Sequence, residues 1–400
     1  MDFNAMIDRH HTYSTQWDYT SDRFGVSDIL PFSISDTDFK APQCVLDTLN
    51  DAVEFGVFGY TRWNHDDFKG AIMNYYRNRF SVPVHPDWIV YSPSVMYTVA
   101  CLIRELSAPQ EAIAAFDPMY DAFIDCIESN HRQLIPLRFN EDMSIDWVAC
   151  ELALKQAKVF LLCSPHNPTG KVFTADELSR LCALCQKHAT WLISDEIHSD
   201  LILFNHKHLP IVRYVSASPR LILVSSASKT YNIPGLGGSY AMICDAALRD
   251  AFLNQQRHCD FLNSANLMGM KALMSAYTQG ESYRAELVQH VEMNFTMLDQ
   301  YLKANIPEIH FTYPQATYLA WLDFRSSGYE LDEIQRALIH IGKVGLMRGE
   351  VYGTAGSGYF RMNIGCTHLK LMDGLQRINQ AFDYLREGRH SDAGASISDY

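Results

Sequence analysis

The stretch Val159-Phe-Leu-Leu-Cys-Ser-Pro-His-Asn-Pro-Thr-Gly170 is an apolar run that passes directly into a turn sequence. A short, continuous apolar run predicts a strand covered by helices on both faces, as in a parallel sheet. The stretches Trp191–His198 and Leu221–Lys229 repeat this pattern, because each begins with apolar residues and ends with polar ones. The three stretches together predict an α/β fold built on a mostly parallel sheet.

The sequence on either side of these strands extends the pattern. Between residues 85 and 245, short β-rich runs such as Trp88–Tyr91 alternate with helical ones. One helix start is marked by Thr174 and Glu177, which have the spacing of a capping box. A long predicted helix from Tyr283 then leads into short strands and a further helix, which indicate a smaller α+β unit. Residues 387–400 are polar and rich in glycine and serine, and we expect a mobile tail there.

The composition excludes two classes of partner. The chain has 400 residues, of which 33 are Lys or Arg and 46 are Asp or Glu, so its formal net charge is −13. A diffuse negative charge repels phosphate backbones, and we therefore expect no nucleic-acid partner. The apolar runs are far shorter than the roughly 18 residues of a membrane span, so we expect no membrane insertion.

The N-terminus and the cysteines predict a cytoplasmic location. The first residues carry acids and histidines where a signal peptide would need a basic patch and an apolar stretch. Ten cysteines are scattered along a long chain, which is not the pattern of a disulfide framework. The pair Cys182 and Cys185 falls at helical spacing on an apolar face, which favours packing over a redox or metal role, and we expect no metal site.

Three chemically different side chains follow the three strands: the Asn167 amide, the Asp195 carboxylate and the Lys229 amine. Ligands of open α/β sheets bind outside the carboxyl ends of the strands, so we expect these groups at one edge. Each has an ordinary explanation alone, as a turn, a helix cap or a solvated lysine. Together they match pyridoxal 5'-phosphate, whose aldehyde condenses with an amine and whose pyridine nitrogen needs a carboxylate. The hydroxyls of Ser226 and Ser228 suit its phosphate.

Longer segments resemble the fold-type I pyridoxal-phosphate enzymes of the aminotransferase class I/II superfamily. Within it, the chain is most similar to the MalY/PatB-type branch of cystathionine β-lyases, and the resemblance runs from about Phe3 to about Leu385. The matching segments are Asp8–His10, Gln16–Asp18, Pro31–Phe39, Gly56–Tyr60, Tyr91–Tyr97, Asp117–Phe123, Leu161–Lys171, Ile193–His198, Ser226–Pro234, Thr317–Asp323 and Phe360–Gly365.

The resemblance implies how the cofactor ring is held. Lys229 would be the Schiff-base lysine and Asp195 the partner of the pyridinium nitrogen. Asn167 would bind the phenolic oxygen, while Tyr120 would stack on one face of the ring and Ile197 would pack on the other. Residues two apart in an extended segment point the same way, which agrees with roles for both Asp195 and Ile197.

The resemblance also implies where the phosphate and the substrate bind. The phosphate would lie among Ser94, Val95, Met96, Ser226 and Ser228. Tyr60 would reach the phosphate of a neighbouring subunit and help in catalysis, which makes the active unit a homodimer. Arg361 would bind the substrate α-carboxylate bidentately, through two of its guanidinium N–H groups, with Asn363 beside it.

Two positions depart from the wider superfamily. Many aminotransferases carry an arginine eight residues after the lysine, where this chain has Gly237. They often carry a tyrosine three residues after the aspartate, where this chain has His198. The His198 imidazole either tunes the phenolic oxygen of the cofactor or simply packs against its neighbours, and both interpretations stay open.

The implied reaction is β-elimination from L-cystathionine or related amino-acid thioethers, which gives a thiol such as homocysteine together with pyruvate and ammonia. The implied architecture is a seven-stranded sheet in a large domain, residues 46–284, with a small domain made of residues 1–45 and 285–386. Two alternatives stay open. Transamination uses the same cofactor residues, and a regulatory role would require binding to a transcriptional activator of maltose genes.

Overall fold

The computed structural model of the chain describes residues 2–262 and 264–395. This part of the chain forms thirteen α-helices: α1 (Thr20–Phe24), α2 (Gln43–Phe55), α3 (Asp66–Phe80), α4 (Val95–Leu106), α5 (Asp121–Ser129), α6 (Trp147–Gln156), α7 (Ala175–His188), α8 (Ser228–Tyr231), α9 (Ala246–Asn254), α10 (Leu267–Gln279), α11 (Glu281–Asn305), α12 (Leu331–His340) and α13 (His368–Ala395). Across the same residues, no helix is both long and apolar enough to traverse a bilayer.

The strands in the same residues number thirteen as well: β1 (Leu30–Pro31), β2 (Ile89–Ser92), β3 (Ala112–Asp117), β4 (Gln133–Arg138), β5 (Ala157–Cys163), β6 (Trp191–Asp195), β7 (Leu221–Ser225), β8 (Ser239–Ile243), β9 (His310–Phe311), β10 (Leu319–Asp323), β11 (Val344–Gly345), β12 (Met347–Arg348) and β13 (Tyr359–Asn363). The three predicted strands that lead into Asn167, Asp195 and Lys229 are therefore confirmed, as β5, β6 and β7 respectively.

Seven strands form the main sheet, in the order β2-β8-β7-β6-β5-β3-β4. β8 runs opposite to the other six strands, which all point the same way. The predicted seven-stranded, mostly parallel sheet is therefore confirmed. The central strands are buried on both faces, which is why their sequences read as continuous apolar runs. Cys163 pairs with Asp195, and Asp195 pairs with Val224, so the carboxyl ends of β5, β6 and β7 lie side by side.

Two predictions from the sequence, the capping box and the packing of two cysteines, are confirmed in α7. The side chain of Thr174 accepts a hydrogen bond from the Glu177 amide, and the Glu177 carboxylate accepts one from the Thr174 amide, which completes the capping box. Cys182 and Cys185 are buried on the apolar face of this helix, and neither forms a disulfide. They pack as small hydrophobic side chains, as predicted.

A second unit is built from both ends of the chain. An antiparallel sheet in the order β12-β13-β10-β9 comes from the C-terminal part, and β1 pairs in parallel with β11. The domain boundaries at residues 45/46 and 284/285 remain a prediction, although this pairing joins the N-terminus to the C-terminal unit. The predicted tail at 387–400 begins inside α13, which continues to Ala395, and residues 396–400 lie outside the described residues.

Buried ion pairs hold the N-terminal segment against α13. The Lys370 amine lies 2.6 Å from the Asp38 carboxylate, and Arg9 lies 2.8 Å from the same carboxylate. The Trp17 indole donates a further hydrogen bond of 2.9 Å to Asp38. Burial alone would raise the pKa of Asp38, but Lys370 and these donors lower it below its ordinary value. Asp38 is therefore charged and paired, and it fixes the residues that precede it.

We expect Lys370→Met to lower the free energy of unfolding by about 3 kcal/mol, because it leaves the buried Asp38 with Arg9 as its one remaining cationic partner. Urea denaturation at neutral pH measures this loss. Lys303→Met is the matched control, since the Lys303 side chain is 74% exposed in its ion pair with Asp299. It should cost no more than about 0.5 kcal/mol. Equal losses in the two variants would contradict the anchoring role of Lys370.

Candidate active site

A cavity of about 180 Å³ lies at the carboxyl ends of β5, β6 and β7. Eleven of the residues predicted for the site line it: Ser94, Val95, Met96, Tyr120, Asn167, Asp195, Ile197, His198, Ser226, Ser228 and Lys229. The remaining wall is formed by Pro93, Cys163, Pro234, Gly237, Gly238 and Ser239. Side chains that are far apart in the sequence therefore meet at one edge of the sheet, as the strand pattern predicts.

Lys229 lies in the first turn of α8, four residues after the end of β7. Its amine donates a hydrogen bond of 2.8 Å to the backbone carbonyl of Ser35. Burial lowers the pKa of this amine, and the nearby Arg361 guanidinium lowers it further, to about 8. About a tenth of Lys229 is thus uncharged at pH 7. An amine must be uncharged in order to act as a nucleophile or a base.

Asp195 is the last residue of β6 and is 3% exposed. Its carboxylate accepts a hydrogen bond of 3.1 Å from the Ile197 amide. Burial raises the pKa of Asp195 to about 7, against the lowering effect of that amide and of Lys229. A protonated ring nitrogen placed beside this carboxylate would supply the positive charge that favours its ionised form.

Arg361 joins the second unit to the wall of the cavity. This residue is central in β13 and 4% exposed, and its guanidinium donates 3.0 Å to the Asn167 side-chain oxygen and 2.8 Å to the Ser33 carbonyl. The guanidinium also lies 4.6 Å from the centre of the Tyr352 ring. Its Nε has no hydrogen-bond partner among the described residues. A buried guanidinium with a donor to spare is suited to binding a carboxylate.

Another part of the cavity wall offers neutral groups to an anion. Ser94 caps α4, so the first amides of that helix, at Val95 and Met96, face this end. The Ser226 hydroxyl donates 2.8 Å to the Gly238 carbonyl and accepts from the Ser228 amide at 3.1 Å. Among the lining residues of the described chain, Lys229 is the sole lysine or arginine. A phosphate here would be held by amides and hydroxyls, consistent with Gly237 in place of an arginine.

Tyr120, Ile197 and His198 also line the cavity. Burial raises the pKa of the Tyr120 hydroxyl to about 12, so this ring stays neutral. Burial also lowers the pKa of His198 to about 3, with contributions from Lys229 and Arg361, so the imidazole is neutral in the physiological range. Its Nδ1 is buried with no partner among the described residues, which leaves it able to bind a polar group in the cavity.

Three predicted site residues are not part of the cavity wall. Arg361 contacts the wall through its hydrogen bond to Asn167. The Tyr60 side chain is fully exposed, and it lies beside residues 264–268 at the surface. Asn363 is 3% exposed, and its amide donates to the carbonyls of Ile34 and Asp36. In this chain, Asn363 contacts the N-terminal segment directly.

The sequence did not reveal the backbone of residues 33–36 as part of the site. The Ser33 carbonyl binds Arg361 and the Ser35 carbonyl binds Lys229 and Tyr318. Every residue has a carbonyl, so a pattern of side chains cannot single one out. The matching segment Pro31–Phe39 was the one available signal that this stretch lies near the site.

The groups present fit pyridoxal phosphate. A buried amine, a buried carboxylate with no ion pair to any described residue and a helix N-terminus suit its aldehyde, its ring nitrogen and its phosphate respectively. The unpartnered His198 Nδ1 and Arg361 Nε indicate that a polar ligand completes the site.

Comparisons with known proteins agree with this geometry. The family model for aminotransferase class I and II matches residues 27–378. Protein MalY of Escherichia coli (strain K12) is 39% identical over 96% of this chain and 100% of its own length. Cystathionine beta-lyase PatB of Bacillus subtilis (strain 168) is 34% identical over 95% of this chain and 100% of its own. A PLP-bound protein of Clostridium difficile 630 described as an aminotransferase superposes with a TM-score of 0.91 at 34% identity, covering 95% of this chain and 99% of the other.

We expect Asp195→Asn to stabilise the cofactor-free protein at pH 8 by about 2–4 kcal/mol and to change little near pH 4. The reason is that the pKa of Asp195 is about 7 in the folded chain against 3.8 in the unfolded one, so stability falls as the pH rises through this interval. Melting temperatures at the two pH values measure the effect. Asp51→Asn, on the exposed side of α2, is the control and should behave as wild type at both. A gain for Asp195→Asn that does not depend on pH would contradict the assignment.

Proposed function

The chain belongs to the aminotransferase class I and II family, with the fold of the fold-type I pyridoxal-phosphate enzymes, and we propose that it is a carbon–sulfur lyase that cleaves L-cystathionine and related cysteine thioethers. The observation that carries the proposal is the convergence of Lys229, Asp195 and the Asn167–Arg361 pair on one buried cavity. The relative PatB, which matches along its whole length, supports the lyase branch by its name, cystathionine beta-lyase.

Pyridoxal phosphate, when bound, supplies an aldehyde that binds an amine and a ring that accepts the electron pair released at the substrate α-carbon. Lys229 would hold its aldehyde carbon, Asp195 its ring nitrogen and Asn167 its phenolic oxygen. Tyr120 and Ile197 would enclose the ring. The phosphate would lie among Ser94, Val95, Met96, Ser226 and Ser228, with His198 close to the phenolic oxygen.

The residues of this chain then have separate tasks in the reaction. Arg361 binds the substrate α-carboxylate and so orients the α-hydrogen towards Lys229. The Lys229 amine, whose pKa of about 8 leaves it partly unprotonated, removes that α-proton. The bond between the β-carbon and sulfur breaks, and its electron pair leaves with the sulfur as a thiolate. The thiolate takes a proton from Lys229 or Tyr60, and water converts the remaining three-carbon fragment into pyruvate and ammonia.

A homodimer is part of the proposal. Apolar side chains close to Tyr60 in the sequence are exposed: Val53, Phe55, Val57 and Phe58. Phe261 is also exposed, and it lies three residues before Ser264, which binds Thr61. Exposed apolar surfaces often mark an interface with another protein. A second copy of the chain would cover these side chains and bring the exposed Tyr60 to the phosphate of its partner.

Transamination is the second candidate, because the same cofactor residues serve both reactions and one structural relative is described as an aminotransferase. The products separate the two. A regulatory interaction with a transcriptional activator remains a prediction from the resemblance, and a pull-down in the presence and absence of the cofactor tests it.

We expect the purified protein to release thiol and pyruvate in equal amounts from L-cystathionine, because β-elimination produces one of each. Both products are measured in the same reaction. Lys229→Ala should reduce turnover by more than about 10⁴-fold, since it removes the base together with the covalent anchor. Formation of a keto acid without thiol would favour transamination instead, and near-normal turnover by Lys229→Ala would refute the role of the lysine.

We also expect two impaired variants, Tyr60→Ala and Lys229→Ala, to regain activity when they are unfolded and refolded together. If each site takes Tyr60 from one subunit and Lys229 from the other, a mixed dimer has one intact site, so a random mixture reaches about a quarter of wild-type activity. Mixing Asp195→Asn with Lys229→Ala is the matched control. Both of these residues line the cavity of one chain, so each site of the mixed dimer keeps one defect and no activity should return.

A further inference from the structure

The backbone carbonyl of Ser35 accepts two hydrogen bonds from the interior of the site. Lys229 donates one over 2.8 Å, and the hydroxyl of Tyr318 donates the other over 3.0 Å. The Tyr318 side chain is fully buried, just before β10 begins. The lysine and the tyrosine are thus linked through one oxygen atom, although they come from different units of the fold.

The surroundings hold both ends of this link in place. The Tyr318 carbonyl accepts a hydrogen bond of 2.8 Å from the Ile364 amide, so the tyrosine backbone is tied to the end of β13. Asn363 binds the carbonyls on either side of Ser35, those of Ile34 and Asp36. The Ser35 carbonyl therefore has little freedom to turn away from Lys229.

The charged groups near Lys229 do not replace this contact. Arg361 lowers the pKa of the amine, whereas Asp36, Asp195 and Asp121 raise it. Asp36 is itself paired with Arg9 over 2.9 Å. The nearby His198 is neutral, because burial lowers its pKa to about 3. Among the described residues, the Ser35 carbonyl is thus the hydrogen-bond acceptor of the Lys229 amine.

We propose that Tyr318 is a positioning residue, whose hydroxyl shares the Ser35 carbonyl with Lys229. It fixes the direction of that carbonyl and weakens its bond to the lysine ammonium, so the amine stays near the cofactor aldehyde and the substrate α-proton and gives up its own proton readily. The inference rests on the proposed function only in that Lys229 carries the cofactor. The contact exists while the amine is free, which is before the cofactor binds and after the substrate has displaced the lysine.

The shared acceptor also sets how readily Lys229 gives up its proton. Two donors that bind one carbonyl oxygen weaken each other, because each withdraws electron density from the same atom. Without the Tyr318 hydroxyl, the carbonyl would bind the Lys229 ammonium more strongly. The charged form of the lysine would then be favoured, and the pKa of the amine would rise.

Capture of the cofactor by the cofactor-free full-length chain measures this effect directly. Pyridoxal phosphate is added, and the rate of its absorbance change is measured at pH values between about 6 and 10. Only the unprotonated amine attacks the aldehyde, so the midpoint of the plot of rate against pH reports the pKa of Lys229. We expect Tyr318→Phe to raise the midpoint by about one pH unit and to slow capture at pH 7 about tenfold.

Tyr283→Phe is the matched control. Its hydroxyl also donates 3.0 Å to a backbone carbonyl, that of Lys40, and its side chain is 4% exposed, but Lys229 binds a different carbonyl, that of Ser35. This variant should capture the cofactor as wild type does. A midpoint that stays unchanged or falls in Tyr318→Phe, or that shifts equally in both variants, would overturn the proposal.

A second readout uses the holoenzyme. With α-deuterated L-cystathionine, Tyr318→Phe should show a larger isotope effect than wild type and Tyr283→Phe, because removal of the α-proton becomes slower. An isotope effect equal to that of the control, together with normal capture, leaves Tyr318 no positioning role. The capture experiment needs no lyase activity, so a failure of the proposed reaction would not be mistaken for a failure of this inference.

Discussion

The burial of the Lys229 amine and the Asp195 carboxylate in one cavity is the constraint on which the rest of the site depends. Removal from water disfavours a charge on either group, and the pKa of the amine falls to about 8 while that of the carboxyl rises to about 7. A cationic ring nitrogen beside Asp195 would restore the balance of charge. The same desolvation that makes the cofactor-free site unfavourable therefore favours an uncharged lysine and leaves the aspartate suited to a cationic partner.

A short N-terminal segment contacts this site through its backbone. Its carbonyls at Ser33 and Ser35 bind Arg361 and Lys229, so the group proposed to bind the substrate and the group proposed to remove its proton contact one strip of backbone. The buried pair of Asp38 and Lys370 secures this strip to α13. The first part of the chain is thus a structural component of the active site, although no side chain within it has an obvious chemical role.

The sequence predicted the cavity wall well where the information lay in side chains at strand ends. Asn167, Asp195 and Lys229 differ from the apolar residues before them, and the parallel sheet brings them together without further assumptions. Arg361 was predicted through the resemblance and lies against Asn167. Tyr60 and Asn363 show the limit of this approach. One is at the surface of the single chain and the other binds the N-terminal backbone, so their assigned roles stay predictions.

By itself, the sequence determined the α/β architecture, the strand ends that carry the chemistry and the kind of cofactor they suit, because apolar periodicity and residue type are local properties. Only the tertiary structure decided which backbone carbonyl accepts a hydrogen bond from Lys229. It also decided that Tyr318 donates to the same carbonyl and how far the pKa values of the buried groups shift. Lys229 and Ser35 are 194 residues apart, and Arg361 and Ser33 are 328 apart. Hydrogen bonding and desolvation depend on which atoms lie within a few ångströms, and folding sets those distances across the whole chain.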